Sequence, residues 1–269
     1  MIGTYDKKYL SIALPAALES LFMILLASAD LIMVGSLGAV SIAAVSIFLQ
    51  PRLVILCFSR SLASAVTLLV SKRAGNMDKI KSADILKKSL SVGTVVLLLI
   101  HAVFYLYLED IFYLMGAKED YIGEAMIYGN IALSSVFITS LTLLFQAVQL
   151  GYGQTAIIMK TNVAGNIVNV IINAFLIFGL GPFPKMGVAG AAIGTVASTV
   201  FTLLWTIVVM KSDRLLSGGS FIPDKKYFKE ILPVFTSVFS EQGFERIGMV
   251  LFTRMAAGLG TIPFAVHSI

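Results

Sequence analysis

Long apolar runs alternate with short polar ones along this chain. Seven stretches of about 20 or more mostly apolar residues, the length a helix needs to cross the hydrocarbon core, fall near residues 10–34, 42–70, 87–108, 123–147, 156–179, 187–210 and 230–256. "LGTIPFAVHSI" at 259–269 opens an eighth. Short segments bearing Gly, Pro or charge separate them, such as "GYGQ" at 151–154 and "GLGPFPKMG" at 179–187. The pattern predicts an all-α polytopic membrane protein.

Composition agrees. Of 269 residues, 58% are hydrophobic and 13% charged, against ~45–50% and ~25% in soluble domains. Such a chain has too little polar surface for water. A single cysteine, Cys57, excludes an internal disulfide and a multi-cysteine metal site. The first apolar run is interrupted by Pro15 and Glu19, so it reads as an uncleaved span and not as a signal peptide. The net charge of +5 forms no single patch, which argues against nucleic acid.

Basic residues alternate with the spans. Lys7 and Lys8 precede the first. Lys72, Arg73, Lys79, Lys81, Lys87 and Lys88 fill the second connection. Lys160 follows the fourth span, and Lys211, Arg214, Lys225, Lys226 and Lys229 follow the sixth. The other connections carry only Lys118 and Lys185, and one holds Glu109, Asp110, Glu119 and Asp120. The positive-inside rule then places the N-terminus and the 211–229 connection in the cytoplasm, in a plasma (inner) membrane protein.

The chain begins to repeat itself. "LGAVSIAAVSI" at 37–47 and "LGTIPFAVHSI" at 259–269 agree at five of eleven positions, and each follows a Leu-Pro pair, Leu14-Pro15 or Leu232-Pro233. An even number of spans lies between them, so the copies share one orientation. Parallel internal repeats of this kind mark transporters. The expected organisation is a six-helix lobe over 1–210, a cytoplasmic linker over 211–229, and an incomplete second lobe over 230–269. The chain is thus expected to be a truncated or partial form of a two-lobe transporter, with about five helices wanting.

The residues carrying a family resemblance are "LPAALESLFMILLASADLIMVGSLGAVSIAAVS", "GYGQTAIIMKTNVAGNIVNVIINAFLIFGLGPFPKMGVAGAAIGTVAS" and "LPVFTSVFSEQGFERIGMVLFTRMAAGLGTIPFAVHSI". The first resembles the opening helix and turn of the multidrug and toxic compound extrusion (MATE) family. The second is similar to that family's fifth and sixth helices with their preceding loop, and the third to its seventh helix and the turn beyond. The resemblance implies ion-coupled export of organic, often cationic, compounds by alternating access of two lobes. Implied partners are small organic molecules and the bilayer, with no cofactor beyond a coupling proton or sodium ion, and a monomer is expected. One departure stands out. Where some members carry an Asn-Asn-Asp run in the fifth helix, this chain has Asn166, Asn169 and Asn173, all amides. Glu241, eight residues after Pro233, matches a seventh-helix carboxylate of the NorM-like branch.

Candidate site residues follow. Asp30 lies roughly 6 Å inside the outer end of span one at 1.5 Å per residue. Carboxylates at such depth are costly and functional by default, so Asp30 is a candidate for binding a proton, or a sodium ion with nearby oxygens. Glu19, eleven residues earlier, shares its face, because eleven residues turn only ~20° short of or past whole turns. The alternative for each is a structural ion pair, Asp30 with Arg52 and Glu19 with Arg60. Asn166, Asn169 and Asn173 form one stripe and suit a polar cavity wall. Glu241 is a second candidate for coupling, while Glu245 is expected to pair structurally, with Arg246 and Arg254 as potential partners. Pro15, Pro51 and Pro233 each remove a helical hydrogen bond and kink their spans. Gly187, Gly190 and Gly194 form a smooth packing face. His101 reads as a hydrogen-bonded interior residue.

The leading function is a secondary antiporter for organic cations. The alternatives are a flippase of lipid-linked oligosaccharides with a related fold, or an inactive fragment. An intramembrane enzyme is disfavoured, because no nucleophile–base or His–carboxylate constellation is evident.

Overall fold

A computed structural model describes residues 4–74 and 79–267. Ser268 and Ile269, which close the second repeat segment, lie outside them. Ten helices follow in order among the described residues. They are α1 (Thr4–Gly35), α2 (Ala39–Ile47), α3 (Leu49–Ala74), α4 (Lys79–Leu106), α5 (Leu108–Leu114), α6 (Glu119–Gly151), α7 (Thr155–Phe178), α8 (Gly187–Ser212), α9 (Lys225–Gly258) and α10 (Thr261–His267).

Among the described residues, six spans are long and apolar enough to cross a membrane: those in α1, in α2 with α3, and in α4, α6, α7 and α8. The expected seventh span is helical too, and α9 runs for 34 residues. It falls outside that apolar set because Glu241, Glu245, Arg246 and Arg254 interrupt its hydrophobic face.

Span two, expected as one helix over 42–70, is broken at Phe48. Pro51 explains the break. It has no N–H to offer the carbonyl of Ile47, the residue at which α2 stops. The short α5, which the hydrophobic pattern did not predict, fills the turn between α4 and α6 and buries Leu108 and Phe112. Pro15 lies inside α1 and Pro233 inside α9. The sharp stop of α7 rests on Gly179. Its φ is +70°, its N–H donates to the Phe175 carbonyl at 3.0 Å, and a Cβ there would meet the Lys185 nitrogen at 2.7 Å.

Around the bundle, α1 packs on α7, α7 on α8, α8 on α6, α6 on α3, and α3 on α9, while α4 lies outside α3 and α6. Two hydrophobic cores form, one toward each end. At the acid-rich end, Ile47, Phe48, Phe112, Tyr121 and Phe264 pack together. At the base-rich end, Leu62, Val66, Leu86, Val148, Met210, Tyr227 and Ile231 do so. Helix α9 is therefore anchored at both extremities, by Tyr227 and Ile231 at one and by Ala256 and Ala257 at the other. Its middle is open; Phe244 is 76% exposed. Between the two anchors, α1, α3, α6, α7 and α9 surround a cavity.

The base-rich end is also strapped. Lys88 of α4 donates to Asp84 at 2.7 Å and to Asp224 at 2.9 Å. Asp224 caps α9 by accepting from the Tyr227 N–H at 2.7 Å. The hydroxyls of Ser89 and Tyr227 meet at 3.0 Å, and Arg73 bridges Glu230 at 2.5 Å. These contacts tie the connection after α8, and the start of α9, onto α3 and α4.

Candidate functional site

Helices α1 and α7 run in the same direction and in fixed register. Glu19 Oε1 accepts from Asn162 Nδ2 at 2.5 Å, and Asp30 Oδ1 accepts from Asn173 Nδ2 at 3.0 Å. In each pair the partners are 143 residues apart. The constancy follows from helix periodicity. Eleven residues return to nearly the same face on both helices, so two acids on one meet two amides on the other.

The amides are themselves held. Asn173 Nδ2 also reaches Asn169 Oδ1 at 3.3 Å, and Asn169 Nδ2 reaches Thr195 of α8 at 3.5 Å. Asn166 Nδ2 donates to the Asn162 carbonyl at 2.9 Å, and Gln146 of α6 donates to Asn162 Oδ1 at 2.7 Å. A polar ladder thus runs up α7 from Asn162 to Asn173 and meets α1 at both ends.

Close packing of α8 makes room for it. A Cβ on Gly194 would sit 1.9 Å from Asn173 Oδ1, and one on Gly190 2.7 Å from the backbone of Leu176. The expected glycine face therefore has a local purpose, since α8 approaches α7 where the Asp30 ligand is held. Asn173 Oδ1 is buried there without a hydrogen-bond donor. It is an oxygen free to take a proton donor or a cation.

Three neighbouring cavities, which share lining residues, carry these groups. The first, of about 960 Å³, is lined by Glu19, Arg60, Gln146, Asn162 and Gln242 among others. A second, of about 330 Å³, is lined by Glu19, Arg52, Arg60, Asn162 and Asn166 among others. A third, of about 370 Å³, holds Asp30, Arg52, Tyr128, Asn166, Asn169 and Asn173.

The structure therefore brings Glu19, Asp30, Asn166, Asn169 and Asn173 to one seam. Glu241 does not join them. It is exposed on α9 and lines none of the three cavities, although the adjacent Gln242 lines the first. Glu245 pairs with Arg246 on the same helix. The alternative ion pairs Asp30–Arg52 and Glu19–Arg60 do not form, because each acid is met by an amide of α7 instead. His101 Nδ1 lies 2.8 Å from the Leu97 carbonyl, an interior hydrogen bond.

Sequence reading missed Asn162 and Gln146. Asn162 lies four residues before Asn166 and extends the same stripe by one turn, so the spacing could have found it. Gln146 had no such signal, since only the fold sets it across from α7.

Comparison with known proteins places this geometry. The family model described as MatE matches residues 15–175. The uncharacterized transporter YisQ of Bacillus subtilis is 25% identical over 253 residues, covering 93% of this chain and 56% of its own length. A probable multidrug resistance protein NorM of Thermotoga maritima is 28% identical over 267 residues, covering 98% and 57%. Among solved structures, the outward-facing conformation of a multidrug resistance MATE family transporter of the MOP superfamily superposes with a TM-score of 0.79 at 25% identity. It covers 92% of this chain and 55% of that one. The chain thus spans a little under three fifths of the length of these curated relatives.

Proposed function

The chain belongs to the MatE family, and from that premise we propose that the protein is a secondary antiporter, exporting small organic molecules against their gradient by exchange with an inward-moving proton or sodium ion. The observation that carries this reading is the Asp30–Asn173 contact within a polar seam that otherwise lies among apolar helices. A carboxylate at membrane depth, met by one amide donor and open to a cavity, suits a reversible ion site. The carboxylate oxygens and Asn173 Oδ1 would serve a sodium ion. Protonation of the same carboxylate would serve proton exchange. The ion would be released when the cavity changes the face it opens to, as alternating access requires.

The same reading supplies the setting. The family is one of transporters, so the reaction is movement and not bond chemistry. The base-rich end, with Lys72, Arg73, Lys79, Lys81 and Lys87, is assigned to the cytoplasm of an inner-membrane protein by its positive charge. The working unit is a monomer in the bilayer. Lobe 1–210 supplies the seam, and α9 and α10 begin the second repeat.

The test is transport by the purified protein in proteoliposomes loaded with a fluorescent organic cation, under an imposed pH gradient or sodium gradient. Export driven by either gradient is expected, and its identity assigns the coupling ion. Dye movement that ignores both gradients would reject the antiport reading.

A further inference from the structure

We propose that the connection between α8 and α9 carries a docking surface for an anionic phospholipid of the leaflet at the base-rich end. Lys87, Lys225 and Lys226 receive the headgroup phosphate, and Phe221 and Ile222 enter the leaflet beside it. The inference rests on the membrane spans and not on the antiporter reading. The connection lies along the charged first turns of α4. Gly218 passes Ile80, where an added Cβ would stand 2.9 Å from the Ile80 side chain. Gly219 passes Asp84 so closely that a Cβ would stand 2.5 Å from the Asp84 Cα. The Ser220 N–H donates to Asp84 Oδ1 at 2.9 Å, and Lys87 Nζ lies 5.4 Å from the centre of the Phe221 ring. These contacts step along α4 from residue 80 to 84 to 87, and the apolar run of span three opens at Lys87. Phe221 and Ile222 thus reach the level of the membrane surface, on a helix that lies outside α3 and α6. They are 57% and 77% exposed. Two adjacent large apolar side chains are poorly placed in water and well placed in a leaflet interface.

Charge selects the kind of lipid. Lys225 and Lys226 follow Ile222 within four residues, and both are exposed, while Lys87 is half-buried beside Phe221. Among the described residues none of the three forms an ion pair. The acids of this segment and of the α4 face beneath it are engaged. Asp224 accepts from Lys88 and from the Tyr227 N–H, and Asp84 accepts from Lys88 and from the Ser220 N–H. Three ammonium groups beside two interfacial apolar side chains match a phosphate carried on acyl chains. A zwitterionic headgroup brings its own cation and matches them less well. A free phosphate has nothing to offer Phe221 and Ile222.

The experiment puts a reporter on the surface of the purified protein. The single tryptophan is removed by Trp205→Phe, and Phe221→Trp keeps an aromatic ring beside Lys87. Brominated phosphatidylglycerol, or brominated phosphatidylcholine with the same acyl chains, is titrated into the detergent micelles at neutral pH, and quenching of the tryptophan is read. Phosphatidylglycerol is expected to reach half-quenching at a concentration lower by about tenfold or more. Lys87→Gln, and Lys225→Gln together with Lys226→Gln, should raise that concentration by about fivefold per lysine, the scale of one cation at a leaflet surface. Phosphatidylcholine should stay within about twofold. Lys225→Arg with Lys226→Arg keeps both charges, so it should keep the preference, and it controls for folding. No quenching by either lipid, equal quenching by both, or a preference that survives the Gln variants would overturn the assignment. Inorganic phosphate that abolishes quenching at the concentration of the lipid would mark a site for free anions and overturn it too. So would a tryptophan already shielded from acrylamide before lipid is added, as a second copy seated on the surface would leave it.

Discussion

Asp30 of α1 accepts a hydrogen bond from Asn173 of α7 at 3.0 Å, and the glycine opposite, Gly194 of α8, is what lets Asn173 stand there. The acid, the amide and the glycine come from three helices. Each is placed by a periodicity of its own helix, and the contact depends on all three.

Gly194→Ala should therefore act on Asp30 without touching it. The added methyl would lie 1.9 Å from Asn173 Oδ1, so the amide must turn or α8 must move away. Gradient-driven export is expected to fall about tenfold or more, the scale of one charge-assisted hydrogen bond. Gly190→Ala meets backbone of Leu176 instead. It is expected to act chiefly on stability, by ~1–3 kcal/mol as overpacking does, read from the unfolding midpoint in detergent. Wild-type export by Gly194→Ala would show that the Asp30–Asn173 contact is dispensable.

The strap at the base-rich end gives a pH-dependent prediction. Lys88 and the Tyr227 N–H, both donating to Asp224, hold its carboxyl below the usual carboxylate range. A depressed value in the folded state means that the contribution is fully present above the ordinary carboxylate pKa, about 4. It is lost as pH falls through the lower folded value. Asn keeps the helix cap but loses the charge, and Ala loses both. At pH 7 thermal stability should rank wild type, then Asp224→Asn, then Asp224→Ala. The first two should converge as the pH is taken below about 4. A gap between them that is independent of pH would remove the ion pair from the account.

Orientation is tested with single cysteines in a Cys57→Ser background, where Cys57 is the buried native thiol. Lys72 and Lys118 are both exposed and sit at opposite ends of the bundle. In intact cells an impermeant maleimide should label Lys118→Cys and spare Lys72→Cys. The reverse pattern would invert the topology.

Much of this architecture was legible in the hydrophobic pattern, because a lipid-facing helix must be apolar over its whole length and advertises itself. The helix of span five and its amide stripe were visible at the spacing of Asn166, Asn169 and Asn173. Pro51 located the carbonyl at which span two breaks, although the break itself and α5 were not anticipated. Pairing was the illegible part. Arg52 and Arg60 looked like natural partners for Asp30 and Glu19, since opposite charges in a membrane are expected to meet. The parallel register of α1 and α7 decided otherwise by presenting Asn173 and Asn162 to those acids. Register between helices distant in sequence leaves no mark in local periodicity. The strap from Lys88 to Asp224 was hidden for the same reason, with 136 residues between its partners.

The central claim is that Asp30 exchanges the coupling ion, and Asp30→Asn tests it most directly. Asparagine preserves size and can still bond Asn173, but it cannot change charge. Wild type and variant would be compared in proteoliposomes under the driving gradient, with dye efflux down its own gradient measured beside it. The account predicts that Asp30→Asn loses uphill export while downhill efflux of the dye persists. Uphill export by Asp30→Asn at the wild-type rate would contradict it.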